Sequence, residues 1–176
     1  MIVRAKKTAA APSAAAPAAP QGAARANAGG IDSALYSSPE FLFRRAHQIA
    51  AAAFTEACGH LDLTPSQYSA LFMLREVNEV SQNELARLIA LDRSTMSIVL
   101  RSLRDRRLTR ELADPQDRRK KRLRLTDAGR LLLAEAEQLS ADSSHRLLAG
   151  LGGEKAATLL TLLEELSAAP PVDGAG

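Results

Sequence analysis

Apolar residues recur every three to four positions over six segments of the chain, and this spacing predicts a mainly helical fold. Pro39 follows Ser38 at a favourable first helical position, and the first helix should run to about Cys58. The next four helices should begin after residues that cap helices well, and a last, leucine-rich helix should lie around residues 156–166. The four expected N-caps are Thr64, Ser81, Asp92 and Thr126.

Two of these helices are short and separated by a tight turn. The first follows the capping box Ser81-Gln82-Asn83-Glu84, and the second runs from about Asp92 to Arg106. One side of the second helix is apolar, and its other side carries Arg, Ser and Thr. This arrangement is typical of a helix-turn-helix, with the second helix as the recognition helix.

The period of the pattern changes from helical to alternating after the recognition helix. Residues 108–112 can form a strand, and Asp114-Pro115-Gln116-Asp117 supplies turn chemistry. In Lys121–Leu125 the leucines alternate with basic residues, so Leu123 and Leu125 should point inward. We therefore predict a β-hairpin, or wing, beside the helix-turn-helix, in a fold that is otherwise α-helical.

Composition and charge limit the classes of function that the chain can have. With 176 residues and 46% hydrophobic content, the chain can form one domain with tails. The net charge of +3 is uneven. Residues 1–30 carry +4, residues 92–125 carry twelve Arg and Lys against five Asp and Glu, and the remainder carries −8. A basic segment on an acidic body is the electrostatic signature of a nucleic-acid-binding protein.

Other classes of protein find little support. No apolar run approaches the roughly 20 residues of a membrane-spanning helix. The only cysteine, Cys58, excludes an internal disulfide and fits a reducing, cytoplasmic location. Three scattered histidines, with no glycine-rich phosphate loop, nucleophile elbow or metal-ligand pair, argue against an enzyme. We expect no catalytic residue, cofactor or metal site.

These elements suggest five regions. We expect a disordered basic tail (1–30), an N-terminal dimerisation helix (31–62), a winged helix-turn-helix domain (63–126), C-terminal dimerisation helices (127–168) and a frayed tail (169–176). The terminal helices are assigned to a homodimer because they are strongly apolar. The alternative is that they pack only on their own chain.

Five motifs, in order, resemble the MarR (multiple antibiotic resistance regulator) family of winged helix-turn-helix regulators. They are Leu63-Thr64-Pro65-x-Gln67-Tyr68-x-x-Leu71, Ser81-Gln82-x-Glu84-Leu85-Ala86, Asp92-x-Ser94-Thr95-Met96-Ser97, Asp114-Pro115-x-Asp117-Arg118-Arg119 and Leu125-Thr126-x-x-Gly129. The resemblance covers about residues 39–167. One departure is Arg107, where family members usually have glycine. Arg107 should either strain the turn into the wing or extend the recognition helix.

The resemblance implies a homodimer that places two recognition helices in successive major grooves of a pseudo-palindromic operator. In that arrangement Asp117 orients the wing arginines and Arg119 enters the minor groove. The first residues of the recognition helix should meet base edges and nearby phosphates. Arg101 and Arg104 should either meet phosphate or remain solvated, and the other wing cations should meet phosphate. The complete expected DNA-binding set is Arg93, Ser94, Thr95, Ser97, Arg101, Arg104, Asp117, Arg118, Arg119, Lys120 and Lys121.

The first helix contains Phe43-Arg44-Arg45-Ala46-His47-Gln48, which is similar to the family branch that responds to nicotinate-type and other aromatic acids. His47, with Arg44 or Arg45 as carboxylate partner and Tyr68 as lining, would then bind a small aromatic acid that releases the repressor from DNA. The alternative is a structural His47 with arginines in inter-subunit ion pairs.

Three other functions remain open. They are a redox-sensing regulator acting through Cys58, an architectural DNA-binding protein without a ligand, and a helical protein-interaction module whose basic hairpin is a solvated loop.

Overall fold

The computed structural model describes residues 33–114, residue 117 and residues 121–168. The chain divides into two compact units after Ser38. In the first unit the described residues form a short helix, α1 (Ser33–Ser37), which the sequence pattern did not predict. Both predicted tails, 1–30 and 169–176, lie outside the described residues.

The second unit holds six α-helices and one hairpin among its described residues, so the predicted fold class is confirmed. A 3₁₀ turn, Gly59–Leu61, directly follows the first of these six helices. The elements in chain order are α2 (Pro39–Cys58), α3 (Pro65–Val77), α4 (Gln82–Leu88), α5 (Arg93–Asp105), β1 (Thr109–Ala113), β2 (Lys121–Leu125), α6 (Asp127–Ala149) and α7 (Gly153–Ala168).

All four expected N-caps are confirmed, which explains why the helices start where they do. The hydroxyl or carboxylate of each cap accepts a hydrogen bond from the backbone N–H three residues later. At Thr64 the contact is reciprocal, because the Thr64 N–H donates to Oε1 of Gln67 at 3.0 Å. The Gln67 amide also donates to the Ser102 hydroxyl at 2.9 Å, which ties α3 to α5.

The core lies where helices α2 to α6 and the hairpin meet. Four apolar side chains of α5 point into it, namely Met96, Val99, Leu100 and Leu103. The strands pair antiparallel from Thr109↔Leu125 to Ala113↔Lys121. Leu123 and Leu125 are buried, as the alternation predicted. Val80 bridges to Leu123 through two backbone hydrogen bonds, so the hairpin is fastened to the segment before α4.

The turn from α5 into the wing settles the two alternatives for Arg107. The helix ends at Asp105, so the expectation of an extended recognition helix is wrong. Arg107 instead adopts a left-handed backbone conformation with φ of 58°. A side chain with a Cβ is disfavoured there, which is why glycine suits this position.

A second contact fixes the end of α5. The Arg106 guanidinium donates to the backbone carbonyls of Leu61, the last residue of the 3₁₀ turn, and Asp62, the residue after it. The link between α2 and α3 is therefore held directly against the end of α5.

The long helices α2 and α6 pack against each other, and α7 follows α6 after a break at Gly150–Gly152. The buried Ser143 hydroxyl of α6 donates to the carbonyl of Ala53 at 2.9 Å. Helix α7 buries none of its residues, and five of its leucines are exposed. Within the described part of the chain, no helix is long and apolar enough to cross a membrane.

Candidate nucleic-acid interface

Helix α5 presents a polar surface opposite its buried side. Arg93, Ser94, Ser97, Arg101 and Arg104 are all exposed there, as the sequence predicted. The helix has 13 residues, which corresponds to about 20 Å of length. That length matches the stretch of major groove that one helix can enter.

Two of the hydroxyls expected to read bases are already engaged within the protein. The Thr95 hydroxyl donates to Oδ2 of Asp92 at 2.5 Å, and the Thr95 N–H donates to Oδ1. These two hydrogen bonds lower the pKa of the Asp92 carboxyl. Ser97 donates to the Arg93 carbonyl at 2.9 Å and accepts from the Gln82 amide at 2.8 Å. Thr95 thus completes the helix N-cap, and Ser97 joins α5 to α4.

Other polar side chains of the set remain available. Arg93, Ser94 and Arg101 form no side-chain hydrogen bond or ion pair with any residue that the structure describes. Their side chains are exposed along α5. They are therefore the members of the expected set on this helix that can meet a ligand without breaking an internal contact.

A carboxylate joins the end of α5 to the wing. Glu111 of β1 contacts Nη1 of Arg104 at 2.8 Å and Nζ of Lys121 at 2.5 Å. Lys121 first, and then Arg104, lowers the pKa of the Glu111 carboxyl. Arg104 and Lys121, both expected to contact DNA, are thus brought together at the Glu111 carboxylate. These ion pairs were not predicted from the sequence.

The turn of the wing is anchored by a buried carboxylate. Asp114 contacts Nε of Arg122 at 2.8 Å, and its other oxygen accepts from the Asp117 N–H at 3.3 Å. The hydrogen bond to Asp114, together with the negative charge of that carboxylate, raises the pKa of Arg122. The resemblance gives Asp117 the role of orienting the wing arginines, and the ion pair between Asp114 and Arg122 was not predicted from the sequence. The expected contacts Arg118, Arg119 and Lys120 lie outside the described residues.

A cleft of about 680 Å³ separates α4, α5 and the wing. Arg93 of α5 and Lys121 of β2 both line this cleft, so two residues that are expected to contact DNA lie beside the same cleft. The residues that line it are Ser81, Gln82, Asn83, Glu84, Arg93, Asp114, Asp117, Lys121 and Arg122.

The expected ligand-binding residues are divided between two places. Arg44, Arg45 and His47 are exposed on α2, and the Arg44 guanidinium lies 5.7 Å from the centre of the Phe41 ring. Tyr68 belongs to α3. The depression that the Tyr68 ring lines includes none of Arg44, Arg45 and His47.

Tyr68 is half-buried between two other aromatic side chains. Its ring centre lies 5.2 Å from that of Phe54 and 6.2 Å from that of Phe72. Burial raises the pKa of the Tyr68 hydroxyl. The ring lines an apolar depression of about 360 Å³, shared with Ser69, Phe72, Met73, Leu88 and Ile89.

Cys58 is fully buried at the end of α2. Its Sγ lies 3.8 Å from the Ala136 carbonyl, and burial raises the pKa of the thiol. Both features oppose formation of the thiolate that a peroxide sensor needs. Among the described residues, no group of three His, Cys, Asp or Glu side chains is placed to hold a metal ion.

Comparison with known proteins supports the resemblance. The model of the MarR family matches residues 61–120. The HTH-type transcriptional repressor NicR of Pseudomonas putida strain KT2440 is 30% identical over 125 residues, which are 71% of this chain and 79% of NicR.

Two solved structures share the fold. A probable transcriptional regulator from Pseudomonas aeruginosa is 36% identical, with a TM-score of 0.71 over 75% of this chain and 98% of that one. Bordetella bronchiseptica BpsR, whose DNA binding is regulated by 6-hydroxynicotinic acid, is 28% identical, with a TM-score of 0.73 over 81% of this chain and all of that one. Sequence, fold and the arrangement of α4, α5 and the wing agree, and the chain belongs to the MarR family of transcriptional regulators.

Proposed function

We propose that this protein is a sequence-specific repressor that binds a pseudo-palindromic operator as a homodimer and leaves it when a small aromatic acid binds. The observation that carries the proposal is the shared cleft between α5 and the wing. Arg93 and Lys121 face it from two different elements, and Ser94 and Arg101 are exposed on the same helix. NicR, a relative at 30% identity, is a transcriptional repressor.

The two elements divide the task of recognition. Side chains on α5 can reach base edges in the major groove, and these contacts give sequence choice. The wing cations, Lys121 together with Arg118, Arg119 and Lys120, add contacts with phosphates and the minor groove. Such contacts strengthen binding to any sequence and make it depend on salt. The net charge of +7 over residues 92–125 is consistent with contacts to phosphates by this segment.

The proposed dimer rests on apolar surface that one chain leaves uncovered. Helix α7 exposes Leu160, Leu162 and Leu166 by 46%, 57% and 54%. On α2, Leu42 and Ile49 are each 50% exposed. Exposed apolar surface of this extent is typical of a protein interface. We therefore assign residues 31–62 and 127–168 to dimerisation and residues 63–126 to DNA binding.

Footprinting with hydroxyl radicals on a duplex selected by the protein from a random pool tests this arrangement. A dimer should protect two blocks whose centres lie one helical turn, about 10 base pairs, apart. Leu162→Glu should yield a monomer in sedimentation equilibrium and lose the second block, whereas Val77→Glu, outside both dimerisation regions, should not. A pool from which no preferred sequence emerges would favour an architectural protein.

The ligand proposal rests on the placement of His47 relative to Tyr68. His47 lies seven residues before Phe54, which puts both on the same side of α2, about 10 Å apart along the axis. The Phe54 ring contacts Tyr68. An aromatic acid whose carboxylate is held by Arg44 or Arg45 could place its ring between His47 and the Phe54–Tyr68 pair. The partner subunit would close the remaining side of this space. The related BpsR responds to 6-hydroxynicotinic acid.

Release would follow from geometry, because a ligand wedged beside α2 changes the separation of the two recognition helices. We expect His47→Ala to keep DNA affinity within about threefold and to abolish release by 6-hydroxynicotinic acid. His60→Ala, which replaces another exposed histidine, is the matched control and should respond like the parent protein. Loss of the folded dimer in His47→Ala would make His47 structural and would remove the proposed pocket.

A further inference from the structure

Ile98 is an apolar side chain on the polar side of α5. It is 69% exposed, and among the described large apolar side chains only Leu131, at 74%, is more exposed. Helix α5 already supplies four other apolar residues to the core. Ile98 therefore contributes little to folding, and its exposure in the middle of this helix calls for a different explanation.

The position of Ile98 on the helix places it between two polar residues of the proposed interface. Ser94 lies four residues before it and Arg101 three residues after it, so the three side chains form one row on successive turns. Along the axis they are about 6 Å and 4.5 Å apart. A rigid helix that brings Ser94 and Arg101 to DNA must bring Ile98 to the same groove.

The chemistry of this row restricts what Ile98 can meet. An isoleucine has no hydrogen-bond donor or acceptor, so covering polar base edges with it would leave those edges unpaired. In the major groove the C5 methyl group of thymine is the apolar feature on the base edges. The neighbouring hydroxyls of Thr95 and Ser97 are engaged within the protein, so they do not offer a polar substitute beside it.

We propose that Ile98 is a specificity-determining residue that packs against the methyl group of one thymine in each half-site. The proposal rests on the proposed DNA-binding function and adds to it a specific base and a specific atom. It predicts that the operator carries a thymine, rather than cytosine or a purine, opposite the middle of each recognition helix.

Replacement of single thymines by deoxyuridine tests this directly, because deoxyuridine keeps the base pair and lacks only the methyl group. The duplex is the sequence that the protein selects from a random pool, and Kd is measured by fluorescence anisotropy. At one thymine in each half-site, removal of the methyl group should weaken binding roughly fourfold, the factor that corresponds to one buried methyl group. Replacement in both half-sites should weaken it by roughly fifteenfold.

Three variants connect this effect to Ile98. Ile98→Ala should bind the thymine and deoxyuridine duplexes equally. Ile98→Val, which keeps both γ-carbons and lacks only the δ-methyl group, should retain part of the difference. Val77→Ala, an exposed β-branched residue on α3, is the control and should show the full difference. Because Ile98 is so exposed, Ile98→Ala should unfold in urea at the same midpoint as the parent protein.

The outcomes separate this proposal from the function on which it rests. A selected sequence with no methyl-sensitive thymine would overturn the role of Ile98 and leave the regulator intact. The same holds if Ile98→Ala keeps the full difference between thymine and deoxyuridine. If no sequence is selected at all, both the role of Ile98 and the proposed function are wrong.

Discussion

Gly129 lies in the first turn of α6, at the point where this helix approaches the root of the wing. An alanine Cβ at this position would lie 2.2 Å from the carbonyl oxygen of Leu108 and 3.1 Å from its carbon. Both are backbone atoms, so no side-chain rotation can relieve the overlap. The Leu108 carbonyl also accepts hydrogen bonds from the N–H and the hydroxyl of Thr126, each at 3.1 Å. Gly129→Ala must therefore move either α6 or the wing.

The expected loss of stability combines three effects. Overpacking of this kind costs about 1–3 kcal/mol. Weakening one hydrogen bond to the Leu108 carbonyl costs about 1 kcal/mol. Alanine recovers about 1 kcal/mol through its higher helix propensity. We therefore expect Gly129→Ala to lower the free energy of unfolding by about 1–3 kcal/mol.

Urea unfolding monitored by circular dichroism, at one protein concentration, measures this difference. The midpoint should fall by about 1 M, given a typical dependence of about 2 kcal/mol per M urea. Gly150→Ala is the matched control, since no atom lies within 4 Å of its Cβ and its φ of −67° suits alanine. That variant should be as stable as the parent or up to about 1 kcal/mol more stable. Equal stability of the two variants would mean that a Cβ at position 129 does not clash with the Leu108 carbonyl.

Three further predictions follow from the wing and its root. Arg119→Ala should reduce the slope of log Kd against log salt by about one unit, measured by anisotropy between 50 and 200 mM salt, because it removes a positive charge that neutralises about one phosphate's worth of DNA charge. Glu111→Gln should lower the free energy of unfolding at pH 7 by about 0.5–1 kcal/mol, since it removes the ion pairs with Arg104 and Lys121. The pKa of Glu111 is lowered from 4.5, so this stabilisation is present above pH 4.5 and should vanish as the pH falls through the folded-state pKa. Arg107→Gly should raise the free energy of unfolding by about 0.5–1 kcal/mol in the same urea assay, because glycine adopts the φ of 58° without strain.

Each of these predictions has an outcome that contradicts it. Arg146→Ala, on α6 outside the wing, should leave the salt slope unchanged, and an equal slope in Arg119→Ala would place Arg119 outside the interface. A stability difference for Glu111→Gln that persists at pH 3 would mean that the carboxylate charge is not its source. A less stable Arg107→Gly would show that the side chain of Arg107 contributes more than its backbone strain removes.

The parts of the fold that sequence reasoning predicted depend on neighbouring residues. Thr64, Ser81, Asp92 and Thr126 cap helices through contacts three residues away, so the local sequence contains the whole signal. The alternation of basic residues and leucines in Lys121–Leu125 likewise predicts which side chains face the core.

The contacts that sequence reasoning missed join residues far apart in the chain. Gln67 donates a hydrogen bond to Ser102, which is 35 residues away in the sequence. Arg106 donates to the carbonyl of Leu61, which is 45 residues away. Nothing in the local pattern around either residue indicates such a partner. Asp114 and Arg122 are closer, at eight positions, and here a signal was available. A hairpin closed by Asp114–Asp117 brings Arg122 back beside the end of β1, and considering strand register would have identified the pair.

Fluorescence anisotropy on the DNA upstream of the protein's own gene measures whether the protein binds DNA selectively. A scrambled duplex of equal composition is measured beside it at about 150 mM salt. A sequence-specific regulator should prefer its own DNA by a factor of roughly 10³ or more. The protein should also be unfolded, freed of bound small molecules and refolded. If it then still binds both duplexes equally, it is not a sequence-specific regulator.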